Sequence, residues 1–212
     1  MKALFLNGCG ITEVDQNAFN GLKNLQLLNL DLNQIGNLPE NVFQHTPRLR
    51  EFSFFNQNGN YNTVPPEGLF QYTPYLERLN FFANGFGALP AGLFAGLAKL
   101  ESLKIVGDGL TEDTIPDSIF EDLTSLKVLD MGFNPITSIK EEWFGEWSHE
   151  LEFLSFWYCE IDSELTPEMF ANIPNLKTIF LMDQQNGAFI PEFDIDEVFA
   201  RNRNLENIDF DF

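Results

Sequence analysis

Residues 25–43 read LQLLNLDLNQIGNLPENVF. Leu25, Leu28, Leu30, Asn33, Ile35 and the pair Leu38-Pro39 set a frame, and Phe43 closes it five residues after Leu38. Leu28 and Leu30 alternate about Asn29, which is the period of a strand, so both side chains leave on one side. Asn33 falls where the chain must turn, and its short amide can bond backbone groups that the turn leaves unpaired. Leu38 and Phe43 return from the opposite side and close a coil. A single coil cannot bury this apolar face, whereas a stack of coils builds one continuous core.

The frame recurs from end to end. It is Leu76, Leu79, Phe81, Asn84, Phe86, Leu89-Pro90 and Phe94; then Leu100, Leu103, Ile105, Asp108, Leu110, Ile115-Pro116 and Phe120. Leu126, Leu129, Met131, Asn134, Ile136, Ile139 and Phe144 repeat it, as do Leu151, Leu154, Phe156, Cys159, Ile161, Leu165 and Phe170. Two looser copies begin at Leu49 (Phe52, Phe54, Gln57, Val64-Pro65, Phe70) and Leu176 (Ile179, Leu181, Gln184, Ile190-Pro191, Phe199). Units therefore start at residues 1, 25, 49, 76, 100, 126, 151 and 176, and the partial unit 205–212 holds only a strand. Self-similarity at this period marks a repeat architecture. The frame resembles that of the leucine-rich repeat family. The resemblance implies an α/β solenoid, a curved horseshoe with a parallel concave β-sheet and short helical or irregular convex segments, in a single domain over 1–212. Back halves such as LPAGLFAGLAKL resemble the LPxxxFxxLxxL subtype of extracellular receptors, adhesion and matrix proteins.

Phe is used repeatedly, with 23 copies against four Tyr and three Trp. Phe19, Phe43, Phe70, Phe94, Phe120, Phe144, Phe170 and Phe199 take one position in all eight units, which predicts a spine of buried rings. NQNGNYNTVPPEG and DQQNGAFIPEFDIDE lengthen their coils and read as loops.

Several function classes drop out. Hydrophobic content of 44% excludes a disordered chain, and no apolar run approaches the ~20 residues of a membrane span. The 32 acids against 12 bases leave a net charge of −20, which repels nucleic acid and anionic membranes and favours cationic partners. His45 and His149 sit four coils apart, neither is near a Cys or Ser in an arrangement for nucleophilic catalysis, and no phosphate loop, HExxH or CxxC occurs, so an enzyme is not expected. No cofactor or metal is called for. The acids Asp108, Glu112, Asp113 and Asp117, and Asp194, Asp196 and Glu197, lack calcium-loop spacing and read as solvated loops. Cys9 and Cys159 both hold the turn position. Six coils put them about 29 Å apart, against the ~7 Å limit for a disulfide, so they are expected to be unbonded.

The opening MKALFLNGCGIT has the look of a lipoprotein start, but ALFL is too short for a secretory core. Leu4, Leu6, Cys9 and Ile11 instead fit the frame, which predicts Cys9 as a buried turn residue. Neither end carries a polar cap, which points to a segment of a longer repeat protein, with self-association through uncapped ends as the alternative.

The frame does not account for large apolar residues expected on the outward, concave side of the strands. The column after the second core residue holds Phe55, Phe82, Val106, Gly132, Trp157 and Met182, running from Asn7 and Asp31 to Asp211. The next column adds Leu32, Phe133 and Tyr158, and the columns before and between the core pair add Leu27, Phe153 and Phe180. Phe55, Phe82 and Val106 should touch, as should Phe153, Trp157, Tyr158, Phe180 and Met182. Arg78 and Lys104 face the same side and should pair with Glu51 or Asp130, or receive an anionic group. Contiguous exposed apolar surface marks an interface. The ten residues Phe55, Arg78, Phe82, Lys104, Val106, Phe153, Trp157, Tyr158, Phe180 and Met182 are the candidate site for a protein or peptide ligand. The expected role is a non-enzymatic binding module of a cell-surface or secreted receptor or adhesion protein, with no membrane insertion by this segment. A self-associating structural repeat protein, an intracellular scaffold or a secreted effector is the alternative.

Overall fold

The computed structural model describes residues 1–57, 64–185, 188 and 190–210. Among the described residues, nine short strands form one parallel sheet in strict chain order. They are β1 (Ala3–Phe5), β2 (Leu27–Asn29), β3 (Glu51–Phe55), β4 (Arg78–Phe82), β5 (Ser102–Val106), β6 (Val128–Asp130), β7 (Phe153–Ser155), β8 (Thr178–Phe180) and β9 (Asn207–Asp209). Each coil contributes one strand, and like positions pair: Leu28 with Phe52, Leu79 with Leu103, Leu129 with Leu154. Alternation then does the sorting. Leu28, Leu30, Leu103, Ile105, Leu154 and Phe156 are buried, and the residues between them face out.

Between strands the chain advances by successive tight turns. In the second coil Val42 N–H bonds the Pro39 carbonyl, Thr46 N–H that of Phe43, and Leu49 N–H that of Thr46. Buried Thr46 and Thr73 add hydroxyl bonds to the Phe43 and Phe70 carbonyls. Among the described residues, helical structure amounts to 3-10 turns and one α turn, α1 (Ile195–Val198), whose start Asp194 caps by accepting from Asp196 and Glu197 N–H.

All eight Phe of the predicted spine are buried. Phe19, Phe43 and Phe70 stack at 6.3 and 5.8 Å between centroids, and Phe94 stacks on Phe120 at 6.4 Å. Trp147 joins the spine in its middle, 5.8 Å from Phe120 and 6.4 Å from Phe144.

The turn column works as a set of hydrogen-bond staples. Asn134 Oδ1 accepts from Asp108 and Leu110 N–H, while its Nδ2 donates to the Ile105, Met131 and Gly132 carbonyls. Asn33 does the same between the first two coils, holding Cys9 and Ile11 N–H at 3.0 and 3.1 Å. Cys159, in the same column, is buried, and its burial pushes the thiol up to about 12. Cys9 corrects the sequence reading. It is exposed, because its coil belongs to the edge strand β1, which pairs only with β2 in the described structure. Both cysteines are free. The two insertions lie partly, and Asp211 wholly, outside the described residues.

Candidate ligand-binding face

Parallel pairing in register turns each outward strand position into a column that crosses the sheet. The middle column runs Asn80, Lys104, Asp130, Ser155, Phe180 from β4 to β8. One column further on stand Phe55, Phe82, Val106, Gly132, Trp157 and Met182. The next column contains Gly8, Leu32, Asn56, Ala83, Gly107, Phe133, Tyr158 and Asp183, and all of them have positive φ. These residues continue the ladder before the chain turns away. Ala83 N–H bonds the Val106 carbonyl, Phe133 N–H that of Trp157, and Tyr158 N–H that of Met182. Turning immediately afterwards requires the left-handed region, which Gly enters freely and other residues enter with strain. Phe133 and Tyr158 nevertheless occupy it at φ 56°, with side chains 37% and 38% exposed.

The predicted residues separate into three aromatic groups. Phe55 and Phe82 meet edge to face at 4.8 Å on β3 and β4. Phe153 and Phe180 meet at 5.3 Å near the start of β7 and on β8. The third group lies past the ends of β6 and β7: Phe133 is 4.5 Å from Trp157 and 4.3 Å from Tyr158, and Trp157 is 6.3 Å from Tyr158. Met182 is half-buried beside it, its carbonyl holding Tyr158 N–H. Val106 departs from the expectation of an outward ligand contact, being only 1% exposed. On one side it pairs with Phe82. On the other is Gly132, and the space a side chain would take there is filled by the Trp157 indole. A Cβ on Gly132 would stand 2.4 Å from both Cδ1 and Nε1 of that ring.

Beneath the third group is Asp130. Burial raises its pKa above the usual carboxylate range, while Gly132 N–H at 3.2 Å, Lys104 and the Trp157 indole oppose that rise. The acid and the indole thus flank the clearance that Gly132 provides. Lys104, exposed on β5, pairs with Asp130 in register. Arg78 is exposed and engages Glu51 at 2.5 Å. Arg78 thus has the cross-strand partner expected of it, while Lys104 stands in register with Asp130 and forms no ion pair within 4 Å among the described residues. The acids considered for calcium do not converge: Asp108 is buried, Glu112 holds Thr137 through its hydroxyl at 2.6 Å, and Asp117 pairs with Lys140 at 2.9 Å. No group of three metal-ligating side chains stands together among the described residues.

Residues 1–58 match the family described as Leucine rich repeat, and residues 61–177 and 88–211 match the BspA type Leucine rich repeat region. The chain belongs to the leucine-rich repeat family. Solved structures share its fold. A chain of the Drosophila Toll–Spatzle complex in its glycosylated form superposes with TM-score 0.82 at 23% identity, over 99% of this chain and 27% of that one. Another structure of that complex gives 0.66 at 21% identity, over 95% and 30%. The TLR13–ssRNA13 complex gives 0.67 at 21% identity, over 98% and 32%. The leucine-rich repeat chain spans about a quarter to a third of those chains. No curated protein matches the sequence.

Within the leucine-rich repeat frame, the residues that complete the aromatic group are ones that column reading left out of the site. Phe133 stands in the neighbouring column, Asp130 reads from spacing as an ion-pair partner, and Gly132 is the one position of its own column without a side chain. The available signal was the order Gly132 then Trp157 in one column, a missing side chain beside an oversized one.

Proposed function

We propose that this chain is a non-enzymatic binding module, a segment of a cell-surface or secreted receptor or adhesion protein that holds a protein or peptide ligand on its concave face. The observation that carries this reading is the group Phe133, Trp157 and Tyr158. Its rings are displayed on the outward side of the sheet, two of them on the left-handed backbone that every described coil has at this position. A contiguous exposed aromatic cluster supports a binding role. The receptor assignment draws on the likeness of fold to a chain of the Toll–Spatzle complex. The TLR13 structure is a complex with single-stranded RNA. A net charge of −20 favours a polypeptide over a phosphate backbone for the chain described here. The chain serves as one leucine-rich repeat domain, and no catalytic step is assigned to it.

Selection of peptides from a random library on the immobilised protein tests this. Selected peptides should lose about tenfold or more in affinity on Trp157→Ala or Tyr158→Ala, with circular dichroism unchanged. Equal binding to both variants and to wild type would place the ligand elsewhere and end the concave-site reading. Self-association has its own support in the exposed Met1 and Phe5 of the edge coil. Sedimentation against concentration decides it: a constant monomer mass rejects it.

A further inference from the structure

We infer that the exposed surface of the Phe133, Trp157 and Tyr158 cluster receives the side-chain cation of a lysine or arginine on the partner polypeptide, lying over the rings. This deepens the concave-face reading above and rests on it. The three rings do not stack. Phe133 meets Trp157 at 84° and Tyr158 at 44°, with centroids 4.5 and 4.3 Å apart, so the rings rest against one another and leave Phe133 and Tyr158, 37% and 38% exposed, to be covered by a partner. Ring faces are negative, and they hold an ammonium or guanidinium group lying over them.

The surroundings select among possible occupants. Asp130 underlies the indole, and Asp183 follows Tyr158 in the same column, exposed at the far rim. An apolar plug would strip further water from Asp130 and return nothing to it, which is unfavourable for a half-buried carboxylate. An acidic side chain would add repulsion. A cation over the rings offsets the lost hydration of Asp130. At longer range, the net charge of −20 draws basic segments toward the molecule.

The test uses the whole chain and four hexapeptides: hexa-arginine, hexa-lysine, hexa-glutamate and a neutral Gly/Leu sequence. Binding is followed on the Trp157 indole N–H resonance, which is assigned by its loss in Trp157→Phe. The basic peptides should shift this signal with about tenfold higher affinity than the neutral one, and hexa-glutamate should leave it unmoved. Asp130→Asn keeps the indole's acceptor while removing the charge, and Tyr158→Ala removes a ring. Each should weaken the basic peptides about fivefold, whereas Asp117→Asn, outside the sheet, should not. A neutral peptide binding as well as the basic ones overturns the cation inference and leaves the concave face as the site. Basic peptides that bind without moving the Trp157 signal, or with no dependence on Asp130 and Tyr158, overturn it as well, the charge then acting elsewhere. Silence of the signal to every peptide at millimolar concentration also overturns it. The concave reading is judged separately by the library-selected peptides.

Discussion

Asp108 occupies the turn column in which Asn33 and Asn134 donate amide hydrogens to neighbouring carbonyls. It accepts Asn84 N–H at 2.7 Å and Gly85 N–H at 3.2 Å through Oδ1, whereas its Oδ2 is buried with no partner. Burial pushes its pKa from the ordinary 3.8 to about 7, against the pull of those N–H groups. The folded chain therefore keeps a proton that the unfolded chain releases near 3.8, and folding takes up a proton between the two values. This contribution to stability is present in full below about pH 4 and falls by a few kcal/mol as pH rises to about 7. Asp108→Asn places an amide where Oδ2 now stands and removes the titration. Melting at pH 8 should rise by roughly 4–8 °C, with little change at pH 4. Melting curves that keep the same difference at both pH values would contradict the assignment. Leu32 gives a second residue-level prediction: it is half exposed at φ 56°, so Leu32→Gly should stabilise by up to about 1 kcal/mol in urea denaturation. The turn column was legible in the sequence because its spacing is rigid. The cost of an acid within it was not, because that cost depends on which carbonyls Asn134 has already taken.

At the scale of elements, the pairing of β6 with β7 decides the shape of the candidate site. Gly132 follows β6, Trp157 follows β7, and the indole fills the space above the glycine. Gly132→Ala sets a Cβ 2.4 Å from the ring and 2.8 Å from the Trp157 carbonyl oxygen, so both side chain and backbone must shift. The variant should lose about 1–3 kcal/mol of stability, and its Trp157 emission should move to the red as the indole is expelled. Unchanged emission and stability would mean that the indole does not rest there. This pairing also explains how far column reading reached. Columns follow from a side-chain period of two and an in-register parallel ladder, so Phe55 beside Phe82, Phe153 beside Phe180 and the partners of Arg78 were all expected from spacing alone. Height above the sheet is not encoded in spacing. Val106 disappears beneath larger neighbours, and Phe133 rises into the cluster, because side-chain volumes on adjacent coils compete for the same space.

For the whole molecule, the stack behaves as a linear array in which each coil is stabilised mainly by its neighbours. β3, β4 and β5 share five registered pairs at each junction, whereas β1 and β9 have three pairs and one neighbour each. Amide exchange should be slowest around Leu79 and Leu103 and fastest around Phe5 and Ile208. Uniform protection from end to end would instead indicate a single cooperative block. The architecture was almost entirely readable in advance, since eight copies of one frame leave few other ways to bury the same residues. The short helical or irregular convex segments were also expected: tight turns anchored by Pro39, Phe43 and Thr46 satisfy that backbone without long regular helix. The central claim is that ligand binds on the aromatic cluster of the concave face, and hydroxyl-radical footprinting with a library-selected peptide bound tests it most directly. Oxidation of Phe133, Trp157 and Tyr158 should fall, while Tyr72 and Tyr75, exposed in the turns after Phe70, should oxidise as in the free chain. Protection of Tyr72 and Tyr75 with the cluster left as reactive as before would contradict the account.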